Sequence, residues 1–170
     1  EISLLNAAPA GEAVPLSRDS RSVLAAARRF HELSGGAFDV TCDPLLGLWR
    51  RAAEEGQAPS PEALAAARVA SSWELLDLGP EGAAKRWQSV RVDLGGIAKG
   101  YAIDQALQVL RAHGLRGGLV EVGGDLAVFG SAPDREAWSI AVRDPRREGV
   151  WATLHLREGA VCTSGNYARF

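Results

Sequence analysis

The sequence predicts an α+β fold, an antiparallel-rich sheet with inserted helices, and three observations carry that expectation. Helical periodicity is confined to a few separate stretches. The strand-like stretches follow one another across Gly-, Pro- and charge-rich turns. The strict strand–helix–strand alternation of a doubly wound parallel sheet is missing.

In chain order, Ser17 opens a stretch in which Val23, Leu24, Ala27, Phe30 and Leu33 recur at helical spacing, ending at Gly35-Gly36; this predicts a helix with one buried face. Ser60-Pro61-Glu62 predicts a second helix through about Arg68, with Ser as N-cap, Pro where its missing N–H costs nothing and an acid against the dipole. Trp73 to Leu78, a Gly79-Pro80-Glu81-Gly82 turn and Ala83 to Trp87 read as a hairpin, and Val90 to Leu94 as a further strand. After Gly95-Gly96, Ile103, Ala106, Leu107 and Leu110 mark a helix face that ends at His113-Gly114. Leu119 to Val122, Leu126 to Phe129, Trp138 to Val142 and Val150 to Leu156 complete the strands.

At 170 residues and 18.0 kDa, 1–170 is expected to form a single domain. The formal charge of −2 leaves no global positive field for a polyanion, so nucleic acid is not an expected partner. The arginine pairs Arg28-Arg29, Arg50-Arg51 and Arg146-Arg147 read as solvated surface. Cys42 and Cys162 form no disulfide framework and read as small buried side chains. His31, His113 and His155 share no metal-ligand spacing, and none is given a catalytic role. No apolar run approaches the ~20 residues of a membrane span, and no targeting segment opens the chain. With 0 methionines and Glu1-Ile2-Ser3 at its head, the chain reads as processed or truncated.

Three glycine-rich segments could carry chemistry. In Asp93-Leu94-Gly95-Gly96-Ile97-Ala98-Lys99-Gly100, glycines would let backbone N–H groups approach a phosphate, and the helix start and Lys99 would add positive charge, which suits a diphosphate. The pattern is neither a P-loop nor GxGxxG. A tight turn with a solvated lysine explains it equally well. Glu121-Val122-Gly123-Gly124-Asp125 implies a bulge or the close approach of another group, with the two acids either solvated or paired for acid–base work. Gly35-Gly36-Ala37-Phe38-Asp39 is either a glycine-capped helix end with Phe38 in the core, or a turn offering a ring and a carboxylate to a flat heterocycle.

Together these segments resemble the FAD:protein FMN transferases, the ApbE family. The matches run in order: Glu1-Ile2-Ser3-Leu4-Leu5-Asn6, Ser34 to Asp39, Pro44-Leu45, Trp49, Asp93 to Ala102, Glu121 to Asp125, Trp138, Arg143-Asp144-Pro145 and Thr163-Ser164-Gly165. The resemblance implies an ApbE-like, T-fold-like domain truncated at both ends, of which this chain is the central part. It implies that Ala37, Phe38 and Asp39 contact the flavin end of FAD, that Asp93 and Lys99 contact the nucleotide, and that Gly96 offers a backbone oxygen to Mg²⁺. The implied reaction transfers FMN from FAD to a Thr or Ser hydroxyl of an acceptor, a flavoprotein subunit of a membrane redox complex, with release of AMP. The implied place is the bacterial periplasm or the outer face of the inner membrane. Family members continue into a His-Asp-Pro stretch that supplies the base and an Asp and Thr pair that completes the metal site, and they carry Asp where this chain has Asn166. A Mg-dependent FAD pyrophosphatase and a non-catalytic FAD-binding protein are the alternatives.

Overall fold

The computed structural model describes residues 1–164. The chain falls into two compact units, Glu1–Ile97 and a second from Ala98 on. Both mix helices with antiparallel strands, as the sequence predicts.

The first unit holds α1 (Ile2–Ala7), β1 (Val14–Pro15), α2 (Arg18–Leu33), α3 (Asp43–Glu55), α4 (Pro61–Ala70), a 3₁₀ turn (Trp73–Leu75), β2 (Leu76–Leu78) and β3 (Gly82–Lys85). Helix α2 starts where the Ser17 hydroxyl accepts from the N–H of Ser20, and α4 where that of Ser60 accepts from Ala63. Helix α3, which is not among the predicted helices, has no capping side chain to mark its start and buries none of its residues fully. It ends at Gly56, whose φ is +66°. The strands order β1-β3-β2, all antiparallel. Around them Leu5, Leu24, Ala27, Val40, Trp73 and Leu76 form the core.

Three expectations for this unit need correction. Of the predicted apolar face of α2, Val23, Leu24 and Ala27 are buried but Phe30 and Leu33 are exposed, because they border an open apolar groove instead of the core. Trp73 to Leu75, expected as strand, form the 3₁₀ turn, and the Trp73 ring is buried. Val90 to Leu94 joins no sheet, although Val90 and Val92 are buried. The Asn6 amide takes the place of a neighbouring strand: its Oδ1 accepts from the N–H of Val92 at 2.8 Å, and its Nδ2 donates to the carbonyl of Val92 at 2.8 Å. Both backbone groups are satisfied without a ladder. The Asn6 carbonyl in turn accepts from Nζ of Lys85, a fully buried side chain, at 2.8 Å.

In the second unit α5 (Ala98–Ala112) lays Ile103 and Leu107 against Ala127 and Phe129 of a sheet ordered β4-β5-β8, where β4 is Gly117–Val122, β5 Asp125–Gly130 and β8 Glu158–Val161. A hairpin of β6 (Trp138–Arg143) and β7 (Val150–Leu156) forms a separate two-stranded sheet. Gly123 and Gly124 make the tight β4–β5 turn, so the expected bulge is absent. Val122 pairs with Asp125, and both glycines have positive φ, +59° and +89°, as a two-residue hairpin turn demands. Cys162, expected to be buried, is exposed just past the end of β8, while Cys42 is partly buried. Among the described residues no helix is long and apolar enough to cross a membrane.

Candidate functional site

Helix α2 ends at Leu33, and Gly35 and Gly36, at φ +62° and +85°, turn the chain back. The Ser34 hydroxyl accepts from the N–H of Phe38 at 2.9 Å and so fixes the length of the loop. Ala37, Phe38 and Asp39 are thereby returned to the side of the helix. The Asp39 carboxylate is almost saturated from within: Oδ1 accepts from the N–H and hydroxyl of Thr41, at 2.8 and 2.7 Å, and Oδ2 from the N–H of Trp73 at 3.1 Å. Thr41 is fully buried. Asp39 thus braces the turn and also walls the cavity beside it.

The N–H of Asp93 donates to the carbonyl of Val40 at 2.7 Å and draws the glycine segment alongside this turn. Oδ1 of Asp93 then accepts from the N–H of Gly95, also at 2.7 Å, closing a short loop. The Phe38 ring lies so close to Gly96 that an added Cβ would sit 3.3 Å from it, a tight contact that the ring would have to relieve by a small shift. Phe38 packs on the core and also borders open space.

The two segments enclose a cavity of about 480 Å³ lined by Ala37, Phe38, Asp39, Cys42, Asp93 and Gly96, with α3 contributing Leu45 and Leu46. Five of the six residues expected to meet the ligand or its metal therefore share one cavity. Burial and the neighbouring Asp93 carboxylate push the Cys42 thiol above its ordinary range. Phe38 and Gly96 also border a second, apolar groove of about 400 Å³ beside Phe30, Leu33 and Ser34.

Lys99 belongs to the second unit, in the first turn of α5. It is not simply solvated: Nζ lies 2.6 Å from Oδ2 of Asp125, and the lysine is half-exposed. Glu121 accepts from the N–H of Gly124 across the hairpin turn, so Glu121 serves the turn and Asp125 the lysine, not a pair of acid–base groups.

Among the described residues no group of three or more His, Cys, Asp or Glu side chains is arranged to hold a metal. Gly96 can offer one carbonyl oxygen, whereas magnesium takes about six. The other positions around magnesium are commonly filled by one or two carboxylates, water and substrate phosphate. Thr163 and Ser164 border a cavity of about 780 Å³ next to Arg143 and Asp144. Gly165 and Asn166 lie outside the described residues.

His31 was not legible as part of the site. Its Nδ1 lies 3.0 Å from the carbonyl of Phe38 and 3.4 Å from Oδ2 of Asp39, and its ring stacks on Trp73. Its position one turn before the Ser34-Gly35-Gly36 loop was the available signal.

Comparison with known proteins identifies the family. The ApbE family model matches residues 1–170. The FAD:protein FMN transferase of Treponema pallidum is 31% identical, over 99% of this chain and 51% of its own length. The crystal structure of an ApbE protein from Thermotoga maritima superposes with a TM-score of 0.83 at 35% identity, covering 99% of this chain and 55% of that one. The flavin transferase ApbE from Vibrio cholerae does so with a TM-score of 0.80 at 28% identity, covering 99% and 56%. The chain spans about half the length of the relatives it matches, and it belongs to the ApbE family.

Proposed function

We propose that this ApbE-family protein is an FAD:protein FMN transferase, and the observation that carries the reading is the single cavity lined by Ala37, Phe38, Asp39, Asp93 and Gly96. An aromatic ring beside a carboxylate and a glycine turn suits a flat heterocycle joined to a diphosphate. Ala37 to Asp39 would meet the flavin end, and Asp93 would accept hydrogen bonds from the nucleotide. Lys99, at a helix N-terminus, would oppose the diphosphate charge once its carboxylate partner shares it.

In the transfer, the oxygen of a Thr or Ser hydroxyl on the acceptor protein forms a bond to the FMN phosphorus. The bond from that phosphorus to the bridging oxygen breaks, AMP leaves, and the hydroxyl proton passes to a base to which no residue of this chain is assigned. Such chemistry rests on positioned charge more than on covalent help, so Lys99 acts electrostatically. Magnesium would supply further neutralisation of the diphosphate when bound. Of the residues here only the Gly96 carbonyl is proposed to touch it. An acceptor flavoprotein subunit of a membrane redox complex, and a place in the periplasm or at the outer face of the inner membrane, are the partner and location that suit this reading.

The test is to incubate the full-length protein that contains this chain with FAD, Mg²⁺ and a candidate acceptor and to look for flavin fluorescence on the acceptor after denaturing electrophoresis. A fluorescent acceptor band with stoichiometric AMP is expected. Free FMN with no labelled acceptor would replace the reading with FAD pyrophosphatase, and unchanged FAD would overturn both.

A further inference from the structure

We infer that His31 is a positioning residue for the Ala37–Asp39 wall of the cavity, a role that rests on reading that cavity as the FAD site. The imidazole reaches out from the last turn of α2 and is largely buried, with 21% of its side chain exposed. Nδ1 stands 3.0 Å from the carbonyl of Phe38 and 3.4 Å from Oδ2 of Asp39. A carbonyl oxygen only accepts, so Nδ1 carries the hydrogen in both the neutral and the charged ring. The ring lies against Trp73 with centroids 5.8 Å apart and planes at 29°. On its other edge the loop closes over it, so that a Cβ at Gly36 would meet Cε1 at 3.6 Å.

The wall has two separate supports. The Phe38 ring is held by apolar contact, edge-on to Phe30 at 6.2 Å and over Gly96. The Phe38–Asp39 peptide is held by polar contact, with His31 on the carbonyl side. Without that donor the carbonyl loses its partner and the peptide can rotate, shifting the Phe38 ring while the Asp39 carboxylate stays anchored to Thr41 and Trp73. A histidine that merely filled the core would need its shape alone; one that positions the wall needs its donor.

Asparagine and leucine have nearly the same shape, so His31→Asn and His31→Leu separate these roles. The amide Nδ2 of Asn can donate to the Phe38 carbonyl, and Leu cannot. Leucine is the better helix former and the more apolar, so H31L should melt at least as high as H31N. FAD affinity, followed by quenching of flavin fluorescence with FAD as the probe, should run the other way. H31N should bind within about twofold of the wild type and H31L about three- to tenfold more weakly, the range expected for one net hydrogen bond. H31L binding as well as H31N, or affinity that simply tracks melting temperature, would overturn the inference while leaving the FAD site standing. A wild-type protein that does not bind FAD would overturn both.

Discussion

The two lysines of the chain lie one in each unit, and they show two ways of placing a cation. Lys85 is fully buried, donates to the Asn6 carbonyl and has no acidic partner among the described residues. Burial, and then the Arg91 charge, push its pKa down. Lys99 is half-exposed and paired with Asp125. The acids at the candidate site divide in the same way, since Asp39 and Asp93 accept from backbone N–H groups of their own unit, whereas Asp125 faces a lysine. A carboxylate bonded as fully as that of Asp39 defines the shape of a cavity, whereas Asp93 spends Oδ1 on the N–H of Gly95 and has Oδ2 to offer a ligand. A partly exposed pair exchanges partners at low cost, because such pairs contribute only about 0–1 kcal/mol. The first unit is therefore suited to shape, and the second holds the mobile charge.

The largest effect that would test this contrast is at Asp39. Asp39→Ala strands the N–H groups of Thr41 and Trp73 and the hydroxyl of a fully buried Thr41. Unfolding in urea should show a loss of about 3 kcal/mol, since buried donors left unpaired cost about 1–3 kcal/mol each and some find water. A loss under about 1 kcal/mol would mean that Asp39 is free for a ligand after all, and the contrast would fail.

A smaller effect, of the opposite character, is expected at Lys99. Lys99→Ala should change stability by about 1 kcal/mol, because the lysine is half-exposed while its partner Asp125 is largely buried. FAD should nevertheless bind about tenfold more weakly, the low end for a hydrogen bond to a charged group. Riboflavin, which lacks phosphate, should bind variant and wild type alike, as a titration of each will show. Equal losses for FAD and riboflavin would make Lys99 structural and place both lysines in one class.

These contrasts were only partly legible in the sequence. Helices α2 and α4 were, because Ser17 and Ser60 cap them locally, and so was the α5 face of Ile103 and Leu107. The unpaired segment at Val92 was not, because its partner is a side chain 86 residues away. Strand β8 was missed because Glu158-Gly159-Ala160-Val161 is short and its pairing with β5 is nonlocal. Of the site, the glycine turns were visible as turns, but only the family resemblance connected Ala37–Asp39 with Asp93 and Gly96. Nothing in local pattern could show that Asp39 is occupied by Thr41 and Trp73, or that Lys99 meets Asp125, since both are facts of tertiary pairing.

The smallest effect concerns the buried lysine and its response to pH. Because the folded pKa of Lys85 is lowered, between that value and the ordinary lysine value of about 10.4 the unfolded chain binds more protons than the folded one. Stability attributable to this residue therefore rises with pH across that window, and the cost of burying the charge is fully present only below the folded pKa. Lys85→Met keeps the length of the side chain and removes the titration, while every other titrating group is common to both proteins. Urea midpoints measured for the two at pH 7 and pH 10 should thus diverge, with the wild type gaining relative to K85M at the higher pH. A difference independent of pH would show that Lys85 holds its proton as firmly in the folded chain as in the unfolded one. Burial would then leave no mark on its charge, and only the partners of the two lysines, a carbonyl and a carboxylate, would distinguish them.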